Sequence, residues 1–179
     1  MEPNAIDAGA CLLRRLSPDD RPVLVEAFAD PEIRRWLPTR LPDLDAASAY
    51  LALRAREWAR AERYSWALAD PATDELLGEV ALKNLDWTGR TARLECWTLP
   101  RARGRGLAVA AVGAATRFGF DELGLLEIGY GHGERNTASA RVARKCGFRL
   151  SHRLPDEVVI DGVPETIVVW TVTRLATMA

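Results

Sequence analysis

A strand-like run and a helical run meet at Leu99-Pro100-Arg101-Ala102-Arg103-Gly104-Arg105-Gly106-Leu107-Ala108, and this junction limits the folds open to the chain. Thr91 to Leu99 alternates with period two, whereas Leu107 to about Phe120 is rich in alanine and valine nearly all round. The glycines therefore fall at a strand-to-helix turn. A helix starting there leaves its first N–H groups unpaired and presents the positive end of its dipole, a combination that suits phosphate oxygens. Gly104 and Gly106 let the backbone approach such a ligand without a Cβ in the way, and Arg101, Arg103 and Arg105 add charge around the same amides. A dinucleotide fingerprint would need a third glycine where Val109 stands, and the GKS or GKT tail of a P-loop is absent. Taken alone, the two glycines fit a tight turn feeding a packed helix as well as they fit a phosphate site.

At 179 residues and 48% hydrophobic, the chain can build one domain with a full core and is too short for two of ordinary size. Its 24 basic and 25 acidic residues balance to −1, so net charge points to neither a polyanion nor a membrane surface as partner. Cys11, Cys96 and Cys146 are odd in number and far apart, and with only His132 and His152 beside them they form no metal set. No run has the length of a signal peptide's apolar region or of a membrane span. The expectation is a soluble, unexported protein in a reducing, cytoplasmic setting.

Taken in order, residues 1–9 read as a flexible end and Ala10 to Leu16 as a first strand. Ser17-Pro18-Asp19-Asp20 opens a helix through about Ala29, Asp30-Pro31 restarts a short one to Trp36, and Asp45 caps a longer one from Ala46 to about Arg63. Strands follow at Tyr64 to Ala69, Leu76 to Leu85 and Thr91 to Leu99, with turns at Asp70 to Asp74 and Asp86 to Gly89. On the third of these, Arg93 and Glu95 share one face with Trp97, and Ala92, Leu94 and Cys96 share the other. After the helix from Leu107 come a strand (Leu125 to His132), a helix capped by Asn136 or Thr137 and closed by Gly147, and two strands (Phe148 to Leu154, Glu165 to Thr173). This order predicts an α+β fold with a mixed sheet and helices on both faces.

Arg101-x-x-Gly104-x-Gly106, followed about 30 residues later by Asn136-Thr-Ala-Ser139-Ala-Arg-Val-Ala-Arg-Lys145-Cys146-Gly147-Phe148, resembles the GNAT superfamily of acyl-CoA N-acyltransferases. More narrowly, it is similar to the ribosomal-protein alanine N-acetyltransferases of the RimJ/RimL type. The resemblance covers residues 10 to 175 as one GNAT domain. It implies a mostly antiparallel sheet of about seven strands, splayed between strands 4 and 5. It also implies acetyl-CoA as the acyl donor, no metal, and an acceptor amine on a protein N-terminus, an amino acid, or a metabolite or antibiotic. A homodimer is allowed by the resemblance alone.

By the same resemblance, amides of Arg103, Gly104, Arg105, Gly106 and Leu107 would hold the coenzyme A pyrophosphate, with Arg101 beside them. Amides near Thr98 and Leu99 would meet the pantetheine arm and the acetyl carbonyl, and Asn136 and Ser139 would lie along its thiol end. The reaction then needs alignment, an N–H for the oxyanion, and proton transfer at the amine and the thiolate. Glu95 is the first candidate base, set against an ion pair with Arg93 or Lys83. Many relatives carry the acid two residues earlier, where Arg93 stands here. The usual general-acid tyrosine would fall at Ala143, so the Ser139 hydroxyl is the substitute for reaching the sulfur, set against a helix-capping role. His132, which titrates near neutrality, is a second candidate base, with Tyr130 on the same strand face. The loop from Trp36 to Leu44 is where the resemblance places acceptor recognition.

Two alternatives stand beside an active acetyltransferase. One is a degenerate relative that binds coenzyme A without transfer. The other is a nucleic-acid module using Arg101, Arg103, Arg105, Arg141, Arg144 and Lys145, against which the near-neutral charge and the lack of stacking aromatics argue.

Overall fold

The computed structural model describes residues 5–174. Eight strands form one sheet: β1 (Ile6–Asp7), β2 (Leu12–Arg15), β3 (Tyr64–Ala69), β4 (Leu76–Asp86), β5 (Thr91–Thr98), β6 (Glu127–Gly133), β7 (Arg149–Ile160) and β8 (Val163–Thr173), in the order β1-β2-β3-β4-β5-β6-β8-β7. Only β5 and β6 pair in parallel; every other neighbour is antiparallel. That one parallel step needs a crossover, and α4 (Leu107–Asp121) supplies it. The remaining helices are α1 (Arg21–Ala29), α2 (Pro31–Trp36), α3 (Leu44–Ala59) and α5 (Thr137–Lys145).

Strand alternation divides the side chains between two covered faces. Leu82, Leu94, Ile128 and Tyr130 lie under α4 and α5, so closely that a Cβ at Gly119 of α4 would stand 2.8 Å from Ile128 Cδ1. Only glycine allows that approach without a shift. On the other face Trp97 meets Phe28 of α1 edge-on, ring centroids 5.5 Å apart, and Tyr50 of α3 reaches Glu79. Among the described residues no helix is long and apolar enough to cross a membrane.

Several expectations are corrected. Ile6 and Asp7 are not a loose end: they pair with Leu13 and Leu12, covering an edge of the sheet that would otherwise expose unpaired backbone groups. Residues 1–4 lie outside the described residues, and two residues are too few to show a period. The cap of α3 is Asp43, whose Oδ1 accepts from the Ala46 amide at 2.8 Å, not Asp45, which falls in the first turn. That helix stops at Ala59 because the chain turns at Ala61, where φ is 54°. The first helix opens as a short 3-10 turn (Pro18–Asp20), with the Asp20 carboxylate accepting from the Ser17 amide at 2.8 Å. β7 runs past Pro155 to Ile160, because an edge strand tolerates proline at an irregularity, here between Leu154 and Val158.

Candidate active site

β5 and β6 stay paired from Thr91↔Glu127 to Leu94↔Tyr130 and then part. β5 continues beside β4 to Thr98, while β6 continues beside β8 to Gly133. The wedge between them is a cleft of about 420 Å³ that passes through the sheet. Ala108, Ser139 and Val142 line it on the α4/α5 face, and Glu32, Trp36, Lys83 and Arg93 line it on the α2 face.

Parting the strands releases backbone groups. The Leu99 amide donates to the Leu77 carbonyl at 2.9 Å, which fixes the antiparallel alternation so that Cys96 and Thr98 turn their N–H and C=O groups toward the wedge. The Thr98 amide therefore faces the wedge. Leu99 does not: its amide is bonded within the sheet and its side chain is buried. Cys96 was missed, although the period-two register that selects Thr98 selects it as well.

At one end of the wedge the chain makes its strand-to-helix turn. Gly104 and Gly106 have φ of 76° and 79°, a conformation that side chains disfavour, and a Cβ at either would meet only open space. The amides of Gly104, Arg105, Gly106 and Leu107 have no partner among the described residues, whereas the Arg103 amide donates to the Pro100 carbonyl at 3.2 Å. Four of the five expected amides thus form an open cradle at the start of α4. The arginines do not converge on it as expected. Arg101 bridges Glu26 and Glu75 at 2.6 Å each, Arg103 holds Asp30 at 3.0 Å, and Arg105 lies 3.5 Å from Asp70. Partner carboxylates from elsewhere in the chain neutralise a patch that sequence spacing shows only as positive. The same pairing removes the charge a nucleic-acid surface would need there.

Across the wedge, Asn136 Oδ1 accepts from the Ser139 amide at 3.0 Å and caps α5, and both residues line the cleft. The Ser139 hydroxyl is not the cap. It lies beside the phenol of Tyr130, whose pKa burial raises far above its ordinary value while Ser139 pulls it the other way. Tyr130 therefore stays protonated behind Ser139.

The two candidate bases are both engaged. His132 Nδ1 lies 2.7 Å from the Gly133 carbonyl, and its Nε2 accepts the Trp170 indole N–H at 2.9 Å. Burial lowers its pKa, and the ring is held neutral with its lone pair occupied. Glu95 accepts from Arg63 at 2.8 Å through Oε1 and from Lys83 through Oε2. Burial raises its pKa, but Arg63 and Lys83 outweigh that and leave it below the ordinary value. The Nε2 lone pair of His132 is thus taken by Trp170, and Glu95 is held in its charged form by two cations. Sequence proximity on neighbouring strands points to Lys83 as a partner but not to Arg63, which arrives from beyond the end of α3. Arg63 also lies 3.5 Å from the buried Glu79, which in turn accepts from the Tyr50 hydroxyl at 2.7 Å.

Among the described residues no group of three histidine, cysteine or acidic side chains is placed to hold a metal ion. The acetyltransferase (GNAT) domain family matches residues 11–149. The uncharacterized N-acetyltransferase YoaA of Bacillus subtilis (strain 168) is 22% identical over 170 residues, 94% of this chain and 96% of that protein. Mycobacterium smegmatis RimJ, solved with CoA-disulfide, superposes with a TM-score of 0.84 at 19% identity, covering 94% of this chain and 84% of RimJ. Spermidine N-acetyltransferase from Vibrio cholerae, solved with CoA and spermine, gives 0.83 at 19% identity, covering 95% and 99%.

Proposed function

The chain belongs to the GNAT acetyltransferase family, acyltransferases that use acetyl-CoA, and from that premise we propose that it acetylates a primary amine bound on the α2 side of the cleft. The observation that carries this reading is a juxtaposition: β5 and β6 part after Leu94 and Tyr130, and the cleft that opens there is lined by Arg103 and Ala108, the residues that flank four unpaired amides, Gly104 to Leu107. An open cradle at a helix start suits the pyrophosphate of coenzyme A, and the wedge suits a narrow pantetheine arm. Bound there, acetyl-CoA supplies its acetyl group as a thioester, so that the amine nitrogen bonds to the carbonyl carbon, the C–S bond breaks and coenzyme A leaves as the thiol.

The chain's part is alignment, polarisation and proton supply. Holding two reactants in line is worth several kcal/mol, roughly up to 10. The Cys96 and Thr98 amides face the place where charge develops on the acetyl oxygen. Ser139, backed by Tyr130, stands on the α4/α5 side as the proton donor toward the sulfur. With Glu95 and His132 engaged, the acceptor enters as the free amine and loses its proton to solvent. Three unpaired cysteines fit a cytoplasmic setting, and protein N-termini, amino acids and small amines are the acceptor classes to try. A homodimer is compatible with this reading and is read directly by sedimentation.

The test is thermal unfolding with acetyl-CoA, with ATP and NADH as controls, followed by a mass-spectrometric screen of primary amines. Ligand at about 100 times its dissociation constant stabilises the fold by roughly 2.7 kcal/mol, a shift of a few degrees. A shift specific to acetyl-CoA together with an acetylated product supports the proposal. No shift at millimolar ligand overturns it. A shift without any product favours the second reading, a coenzyme A-binding protein without transfer, which the occupied state of Glu95 and His132 motivates.

A further inference from the structure

Five charged side chains line the cleft: Glu32, Lys83, Arg93, Glu95 and Arg103. Four have a charged partner. Glu32 lies 3.9 Å from Arg35 and accepts the Trp36 indole N–H at 2.9 Å, Lys83 and Glu95 hold each other, and Arg103 holds Asp30 at 3.0 Å. The Arg93 side chain has no hydrogen bond or ion pair among the described residues. Its side chain lies across β6, with Cγ 3.8 Å from where a Cβ of Gly129 would stand. Gly131, which lines the cleft, leaves this part of its floor bare, since a Cβ there would meet nothing closer than 3.8 Å. Apolar lining comes from the end of α2 and the residues after it (Trp36, Leu37, Pro38) and from β7 and β8 (Val158, Ile160, Ile167).

We infer that the acceptor is a primary amine that also bears a carboxylate and an apolar body, in the manner of a hydrophobic α-amino acid, and that Arg93 binds its carboxylate. This rests on the reading of the α2 side as the acceptor side. A guanidinium presents a planar fork matched to a carboxylate, and the one cleft charge without a partner is such a fork. Arg93 stands two residues before Glu95, about 7 Å along β5, so a carboxylate held by its fork leaves an amine a few bonds away facing the wedge. A polycation would meet an uncompensated positive charge at the same place.

The experiment measures acceptor binding by calorimetry on protein saturated with coenzyme A, so that it needs no turnover. Leucine, phenylalanine and tryptophan are compared with their amides and with spermidine, on the natural protein and on Arg93→Gln. At least one amino acid is expected to bind about ten- to a hundredfold more tightly than its amide, and Arg93→Gln is expected to erase that difference while leaving acetyl-CoA affinity unchanged. Equal binding of acids and amides, tighter binding of spermidine, or a preference that survives in Arg93→Gln overturns the inference. Failure of acetyl-CoA itself to bind overturns the proposed function instead, so the two are told apart.

Discussion

The Trp170 indole donates its N–H to Nε2 of His132 at 2.9 Å, while Nδ1 of the same ring lies 2.7 Å from the Gly133 carbonyl. These contacts fix one neutral tautomer, protonated at Nδ1, in a ring that is 8% exposed.

Because burial first, and then the charge of Arg144, hold the His132 pKa below its ordinary value, the folded state binds fewer protons there than the unfolded state. Neutral His132 therefore contributes stability that is complete above about pH 6.5 and is lost as pH falls toward its folded pKa. Trp170→Phe removes the donor that favours the neutral ring, so the His132 pKa, followed by NMR, is expected to rise. The profile of kcat/KM against pH is expected to climb with the free-amine fraction of the acceptor and to show no enzyme limb near 6.5. A limb there that disappears in His132→Gln would restore His132 as a base.

Glu95 has the opposite kind of partner. Its pKa lies below the ordinary carboxylate value, because Arg63 and Lys83 outweigh the effect of burial, so its ion pairs stabilise the fold above about pH 4.3 and are lost as pH falls through the folded pKa. Glu95→Gln leaves two cations without a counter-charge and is expected to cost about 1–3 kcal/mol in urea unfolding at pH 7. Acetyl-CoA affinity should not change. An unchanged stability with a kcat reduced a hundredfold would instead make Glu95 a proton-transfer group.

Gly106 is the N-cap of α4 and has φ of 79°. Gly106→Val puts a branched side chain into the open space before the unpaired amides and forces a β-branched residue into a left-handed backbone, at about 1–2 kcal/mol. Acetyl-CoA binding measured by calorimetry is expected to fall at least a hundredfold, far more than strain explains. Unchanged affinity would move the pyrophosphate site elsewhere.

Ser139 should separate chemistry from binding. Ser139→Ala removes a hydroxyl beside Tyr130 but not the backbone amide that Asn136 caps, so α5 is expected to keep its stability. We expect kcat to fall ten- to a hundredfold with acetyl-CoA affinity within threefold. Equal losses in kcat and in acetyl-CoA affinity would mean that the hydroxyl serves only binding.

Local chemistry made much of this protein legible from its residues alone. The alternation of Thr91 to Leu99, the glycines at 104 and 106, the Asn136 cap and the Gly147 stop each depend on neighbours within a few positions, and each stands where the sequence puts it. So does the α+β order of elements, because hydrophobic period sets strand and helix before any tertiary contact forms. Tertiary structure decided what the charges do. Arg101 meets Glu26 and Glu75, Arg103 meets Asp30, Glu95 meets Arg63, and His132 meets Trp170, in pairs between 26 and 75 residues apart along the chain. An ion pair or a donated N–H depends on distance in space, which no local period encodes. The sequence by itself therefore determined the strand-to-helix turn with its two glycines and the caps, while folding determined that β5 and β6 part beside that turn, that the expected bases are engaged and that Arg93 alone keeps its charge unpaired in the cleft.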